Sequence, residues 1–214
     1  MLITHPRSPV KCLHRIVYPE ATLRGPDILL RPFQVEDLPV YAAWMAPGHR
    51  WRTLDGPYYP APTTEQIASR MERIRARLLT GPPPSDRLVI AARGSGALVG
   101  TVSRYWQSQE TNWLSLGISL YDPAHWGQGW GHQALGLWCQ HLFDGPLELA
   151  RLDLRTWSGN IGMMRLAEKL GFTREATFRR ARVVNGEYYD GLGYGILREE
   201  WRARYPGGFA AQLS

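Results

Sequence analysis

Two hydrophobic periods alternate along this chain. From Thr64 to about Leu79, the residues Ile67, Met71, Ile74 and Leu78 recur at three- and four-residue spacing and predict a helix. Ala134, Leu135, Trp138 and Leu142 repeat that stripe and predict a second helix to about Phe143. Between the two lie runs with strand character: Arg87–Ala92, Leu98 to about Trp106, and Trp113–Leu120, the first pair joined by a Gly94-Ser95-Gly96 turn. Leu152, Leu154 and Thr156 alternate with polar neighbours and predict a strand over 149–156. Ile28–Pro32 reads as a short strand, and Glu36-Asp37-Leu38-Pro39 as the start of a helix through Met45, with acids and an early proline in its first turn.

Punctuation supplies the remaining boundaries. Gly81-Pro82-Pro83-Pro84 stops the long helix. A short helix is expected over Asn160–Leu170, with Gly171 as its C-terminal cap. Asn185-Gly186 is a two-residue turn signal that centres a hairpin over 179–197. Residues 198–205 read as a closing helical turn. The first 25 residues are proline-punctuated and unpatterned. The expectation is therefore one α+β domain over 26–206, with an N-terminal extension (1–25) and a C-terminal tail (207–214).

Composition narrows the class. In 214 residues, 44% are hydrophobic and 21% charged, the balance of an ordinary globular domain. No apolar run reaches the ~18 residues of a membrane span, and the N-terminus has no signal-peptide core. Cys12 and Cys139 form neither a metal pair nor a disulfide framework, which fits a reducing cytoplasm. The net charge is +6, but its arginines are scattered. The tightest group, Arg70, Arg73, Arg75 and Arg77, reads as a solvated helix face, so nucleic-acid binding is disfavoured.

The candidate chemistry lies in Trp126-Gly127-Gln128-Gly129-Trp130-Gly131-His132. Glycines at alternate positions let the backbone approach a ligand, and the first amides of the helix that follows lack internal partners. Such a loop suits phosphate oxygens. It is not a P-loop, because no Lys-Ser or Lys-Thr follows, and it misses the dinucleotide fingerprint because His132 stands where the third glycine would be. A plain strand-to-helix turn would use the same glycines.

Five segments in order break that tie: Ile28-Leu29-Leu30-Arg31-Pro32 with Glu36-Asp37-Leu38; Leu98-Val99-Gly100-Thr101-Val102; Leu116–Leu120 with Pro123 and the glycine loop; Asn160 through Gly171-Phe172; and Asn185–Asp190 with Glu199-Glu200-Trp201. Together they resemble the GNAT superfamily of acetyl-CoA-dependent N-acetyltransferases, in its RimJ/RimL-like branch, which acetylates protein N-termini. The resemblance spans about residues 27–205. It implies a mixed, mostly antiparallel sheet flanked by helices, with a splay between the family's fourth and fifth strands.

The resemblance also implies roles. Ile118, Ser119 and Leu120 would pair with the pantetheine of acetyl-CoA through the splayed strand. The amides of Gly127, Gln128, Gly129, Trp130, Gly131 and His132 would hold the diphosphate, with Trp126 where the family has Arg or Gln. Asn160 and Arg165 would reach the cofactor from the next helix, although Asn160 also suits an N-cap. No metal is implied. The family's usual acid and base positions hold Ala167 and Ser115 here, which leaves Ser119 and Glu110 as catalytic candidates. The acceptor would be a protein or peptide N-terminus or a small amine, cradled by the aromatic group of Trp44, Trp51, Tyr58 and Tyr59, of which Trp44 equally suits core packing. A homodimer is in keeping with the family. The alternative is a catalytically degenerate acyl-CoA-binding module acting as a sensor or partner protein.

Overall fold

The computed structural model describes residues 22–81 and 85–213. Residues 1–21 of the expected extension, Cys12, and the Pro82–Pro84 part of the helix stop lie outside the described residues. One eight-stranded sheet runs through the protein. Its strands are β1 (Leu23–Arg24), β2 (Ile28–Arg31), β3 (Arg87–Ala92), β4 (Leu98–Ser108), β5 (Trp113–Leu120), β6 (Arg151–Trp157), β7 (Thr173–Val184) and β8 (Glu187–Leu197). They lie in the order β1-β2-β3-β4-β5-β6-β8-β7. All neighbours are antiparallel except β5 and β6. The connection between that pair carries α3 (Trp130–Asp144), as a parallel crossover requires.

Alternation along the strands sorts the two faces. Leu114 and Leu116 of β5 join Leu152 and Leu154 of β6 under α3 and α4 (Ile161–Leu170), with Ile118 and Leu120 packed at the margin. On the opposite face, α1 (Leu38–Met45) and α2 (Thr64–Thr80) cover only the β2–β4 side, packing Tyr41, Met45, Trp51 and Met71 with Val89 and Tyr121. The rest of that face, over β5, β6 and β8, carries Ser115, Gly117, Ser119, Asp153 and alternate glycines 191, 193 and 195.

Several local expectations hold. The long helix starts at Thr64 as expected, and the structure adds a Thr63 cap in a reciprocal capping box with Gln66. Gly171 ends α4 at φ +93°, and Asn185 and Gly186 both have positive φ, as a type I′ hairpin turn demands. Other segments differ. Leu23–Arg24, inside the expected extension, pairs with Leu29–Leu30 as an edge strand. The last hairpin begins at Thr173 rather than Arg179, because β8 supplies the partner backbone for an exposed stretch with no hydrophobic alternation. Beyond α5 (Arg198–Arg204), Phe209 is fully buried against α3, and its ring lies where a Cβ at Gly136 would be.

Candidate active site

The parallel pairing of β5 with β6 stops early. It covers Leu114, Ser115 and Leu116 against Leu152, Asp153 and Leu154, and then ends. Past that point β5 stays paired only with β4, through Leu120↔Gly100, while β6 continues to Trp157 against β8 alone. A wedge therefore opens between Gly117–Leu120 and Arg155–Trp157. The Tyr121 N–H donates to the Val99 carbonyl of β4 at 2.9 Å. By alternation, the main chain of Ser119 belongs to the β4 ladder, and that of Ile118 and Leu120 faces the wedge. This corrects the expectation that all three offer their backbone to the gap.

The glycine loop sits at the mouth of the wedge. Gly127 (φ +75°) and Gly129 (φ +85°) are left-handed, with open space where their Cβ atoms would be. Gly129 is the N-cap of α3. The first amide of this stretch held by a backbone acceptor is that of Gln133, which donates to the Gly129 carbonyl at 3.0 Å. The amides from Gly127 to His132 have no backbone partner among the described residues. A Cβ on Gly131 would meet Leu166 of α4 at 3.5 Å and Leu120 of β5 at 3.6 Å, so the helix start lies between the two walls of the wedge. Unpartnered donors on a helix dipole, exposed glycines and an adjacent sheet gap are what a diphosphate with an extended arm requires.

Trp126 packs with the α1–α2 cluster, and its indole N–H donates to the Leu120 carbonyl at 3.1 Å. It caps one gap-facing acceptor instead of supplying a charge. The Trp130 ring stacks on His125 at 3.9 Å. The Gln128 amide donates to the Ala124 carbonyl and stiffens the loop. The His132 imidazole is held below its usual pKa by burial and by the positive charges of Lys169 and Arg204, so near neutral pH it offers its backbone amide and not a charge. Asn160 caps α4: its Oδ1 accepts from the Met163 N–H at 3.0 Å, and its Nδ2 donates to the Leu54 carbonyl at 3.1 Å. Arg165 is exposed on α4.

Of the two catalytic candidates, the fold brings only Ser119 to the wedge. Its side chain projects onto the α1–α2 face and donates to Asp55 Oδ2 at 3.0 Å. Asp55 comes from the loop between those helices, 64 positions away in the chain. Glu110 is not part of the site. It lies in the exposed β4–β5 turn, at the end of β5 opposite Leu120, about 23 Å away along the eight residues of that strand. Hydrogen bonds from its own backbone and from Ser108 hold it below the usual carboxylate pKa, which makes it a poor base.

A second carboxyl lies at the apex of the wedge. Asp153 is 6% exposed and accepts a hydrogen bond from Ser115, its register partner across the parallel pair. Burial holds Asp153 above the ordinary carboxylate pKa, against the opposing pull of Ser115, Arg151 and Arg155. Nothing in the residue pattern signalled this pair, since register alone joins it. Ala167, where the resemblance implies a tyrosine, is fully buried in the core.

The aromatic loop is anchored to the far wall. The Trp157 indole N–H donates to the Leu54 carbonyl at 2.9 Å, and Tyr58 meets the Trp157 ring edge-on. A cavity of about 540 Å³ opens beside Asp55, lined also by Met45, Trp51, Arg52, Gln66 and Arg70. Among the described residues no group of three His, Cys, Asp or Glu side chains is placed to hold a metal ion, and no helix is long and apolar enough to cross a membrane.

Comparison with known proteins agrees with this geometry. Residues 27–173 match the family model for an acetyltransferase (GNAT) domain. The "SPbeta prophage-derived uncharacterized N-acetyltransferase YokL" of Bacillus subtilis (strain 168) is 24% identical over 186 residues, covering 85% of this chain and 96% of that protein. Among solved structures, a GCN5-related N-acetyltransferase from Brucella melitensis superposes with a TM-score of 0.69 at 20% identity, over 91% of this chain and 86% of that one. A spermidine N-acetyltransferase SpeG chimera from Vibrio cholerae and hSSAT gives 0.63 at 18%, over 82% and 98%. The superpositions, over most of both chains in each case, show that these solved structures share the fold of this chain. With more than half its length matched by the domain model, the chain belongs to the GNAT family of acetyltransferases.

Proposed function

We propose that the protein moves an acetyl group from acetyl-CoA to the primary amine of a small molecule or of a peptide N-terminus, the latter being the RimJ/RimL-like form of the reaction. The observation that carries the reading is the end of β5–β6 pairing at Leu116, beside six amides that lack backbone partners. Acetyl-CoA supplies the reactive thioester. The amides of Gly127 to His132 hold its diphosphate, and the gap-facing main chain of Ile118 with the Leu120 N–H aligns the pantetheine arm. A gap-facing N–H of the same strand polarises the acetyl carbonyl. Asn160 fixes the start of α4 on the far wall, and Arg165 lies on that helix as a solvent-side cation for phosphate.

Ser119 and Asp55 handle the proton. The amine nitrogen bonds to the acetyl carbon while the carbon–sulfur bond breaks. The proton lost from nitrogen goes to the Ser119 oxygen as the Ser119 hydroxyl proton passes to Asp55, and the departing thiolate takes a proton from solvent. With no tyrosine at position 167, proximity and orientation carry most of the acceleration.

Purified protein, acetyl-CoA and a panel of amines and short peptides test this, with free thiol and acetylated product measured together. Amine-dependent thiol release with matching product is expected. CoA binding without product from any acceptor would favour a sensor or partner module.

A further inference from the structure

The cavity beside Asp55 carries a charge pattern that the transfer reaction itself does not need. Arg52 and Arg70 both face it. Arg52 is anchored: its Nη2 donates to the Met45 carbonyl at 2.5 Å and its Nε to the Ala46 carbonyl at 3.3 Å, closing the C-terminus of α1. Its guanidinium lies over the Trp51 ring at 4.7 Å. That leaves its Nη1 edge free of the anchor. Arg70 sits half-buried on α2 with its guanidinium 5.6 Å from the Tyr41 ring, and among the described residues it makes no hydrogen bond or ion pair. Burial holds the pKa of Arg52 below its usual value, with the negative charge of Asp55 opposing that shift and the positive charge of Arg70 adding to it. The one acid among the cavity's lining residues, Asp55, accepts from Ser119 and also lies within electrostatic reach of Arg52, which leaves Arg70 as the uncompensated cation. The wall thus has a negative end at the reacting groups and a positive end with uncommitted planar donors. A second, smaller cavity continues the positive field past Arg70 to Arg73, Arg77 and Arg87, against Asp86 alone.

We infer that this cavity is an anion subsite for the acceptor, so that the preferred substrate is an amine that also carries a carboxylate or phosphoryl group, clamped by Arg70 and Arg52 with its amine toward Asp55 and Ser119. The inference rests on the acetyl-transfer reading. Arginine is suited to the task because its fork matches both oxyanions. A polycation would meet two like charges in the same space.

The test uses matched acceptors: phenylalanine against phenylalaninamide, and an aminoalkyl phosphonate against the corresponding amino alcohol. The wild-type protein is expected to favour each anionic member by about tenfold or more in kcat/KM, the worth of one charge-assisted contact. Arg70→Gln is expected to abolish that preference through KM and to leave the neutral members within about twofold, while Arg70→Lys retains part of it. The phosphonate and carboxylate arms identify which oxyanion is held. Equal or better use of the neutral members, or an Arg70→Gln loss shared by both members, overturns the subsite and leaves the transferase reading standing. Calorimetric titration of the same pairs with CoA present reads the site without turnover. Binding of the anionic member alone, lost in Arg70→Gln, supports the subsite even if acetyl transfer is absent, and no discrimination in that titration overturns it.

Discussion

Gly129→Val separates loop geometry from general stability. Gly129 has φ +85° with open space at its Cβ position, so a side chain there meets backbone strain but no neighbour. A left-handed non-glycine residue costs ~1–2 kcal/mol. For a chain of this length that lowers Tm by roughly 2–8 °C without unfolding it. CoA at a hundred times its Kd adds about 2.7 kcal/mol to the native state, roughly 5–10 °C in Tm. If the amides of 127–132 hold the diphosphate, the valine either reorients them or fills the approach to them, and the CoA-induced rise disappears. Gly96→Val is the control: φ is +71°, its Cβ position is also open, and it lies in the β3–β4 turn. It is expected to lose a similar Tm and keep the full CoA shift. Differential scanning fluorimetry with and without CoA reads both numbers. A Gly129→Val protein that keeps the whole CoA shift refutes the loop assignment.

Four further outcomes follow from the same geometry. Ser119→Ala and Asp55→Asn should each lower kcat by roughly ten- to a hundredfold, within the usual reach of acid–base catalysis, and leave CoA affinity unchanged; additive losses in the double variant would contradict a shared proton path. Asp153 has its native pKa raised above the unfolded value of about 3.9, so stability falls as pH climbs from about 4 through the native pKa; Asp153→Asn should remove that fall in urea titrations between pH 4 and 7, and an unchanged slope would count against the assignment. Phe209→Ala should cost about 3–5 kcal/mol by chemical denaturation, because the ring is fully enclosed, whereas a merely attached tail would show almost no change. A Cβ at Gly159 would run into the Trp157 ring, so Gly159→Ala should destabilise by about 1–3 kcal/mol and raise the acceptor KM by shifting the ring that anchors Leu54; steady-state kinetics with an unaltered KM would argue against that linkage.

What the sequence disclosed was whatever is encoded locally. The stripe of α2, the Asn185-Gly186 turn, the Gly171 cap and the glycine loop each follow from residues within a few positions of one another, where period and φ preference act directly. β1 was missed because two residues carry no period, and the start of β7 because its exposed residues have no apolar alternation. The shape of the glycine loop and its unpartnered amides was largely legible for the same reason, being built from backbone and glycine. The side-chain pairs around the wedge were not. Ser119 meets Asp55 across 64 positions, through a loop tethered at Leu54 to Trp157 and Asn160, and Ser115 meets Asp153 across 38, through sheet register; no local pattern announces either. Glu110 was a candidate by residue type alone, and only the direction of the β4–β5 hairpin reveals that it lies at the wrong end.

One oxygen atom ties the two halves of the molecule together. The Leu54 carbonyl accepts from both Trp157 and Asn160, so the residue preceding Asp55 is pinned to the junction of β6 and α4. That junction is the outer jaw of the wedge. Whatever spreads the jaw tows the carboxylate on the other side, and whatever fills the acceptor pocket braces the jaw. Affinities measured for one substrate alone will therefore not sum to the affinity for both, and a variant that severs this tether should make the two binding events independent.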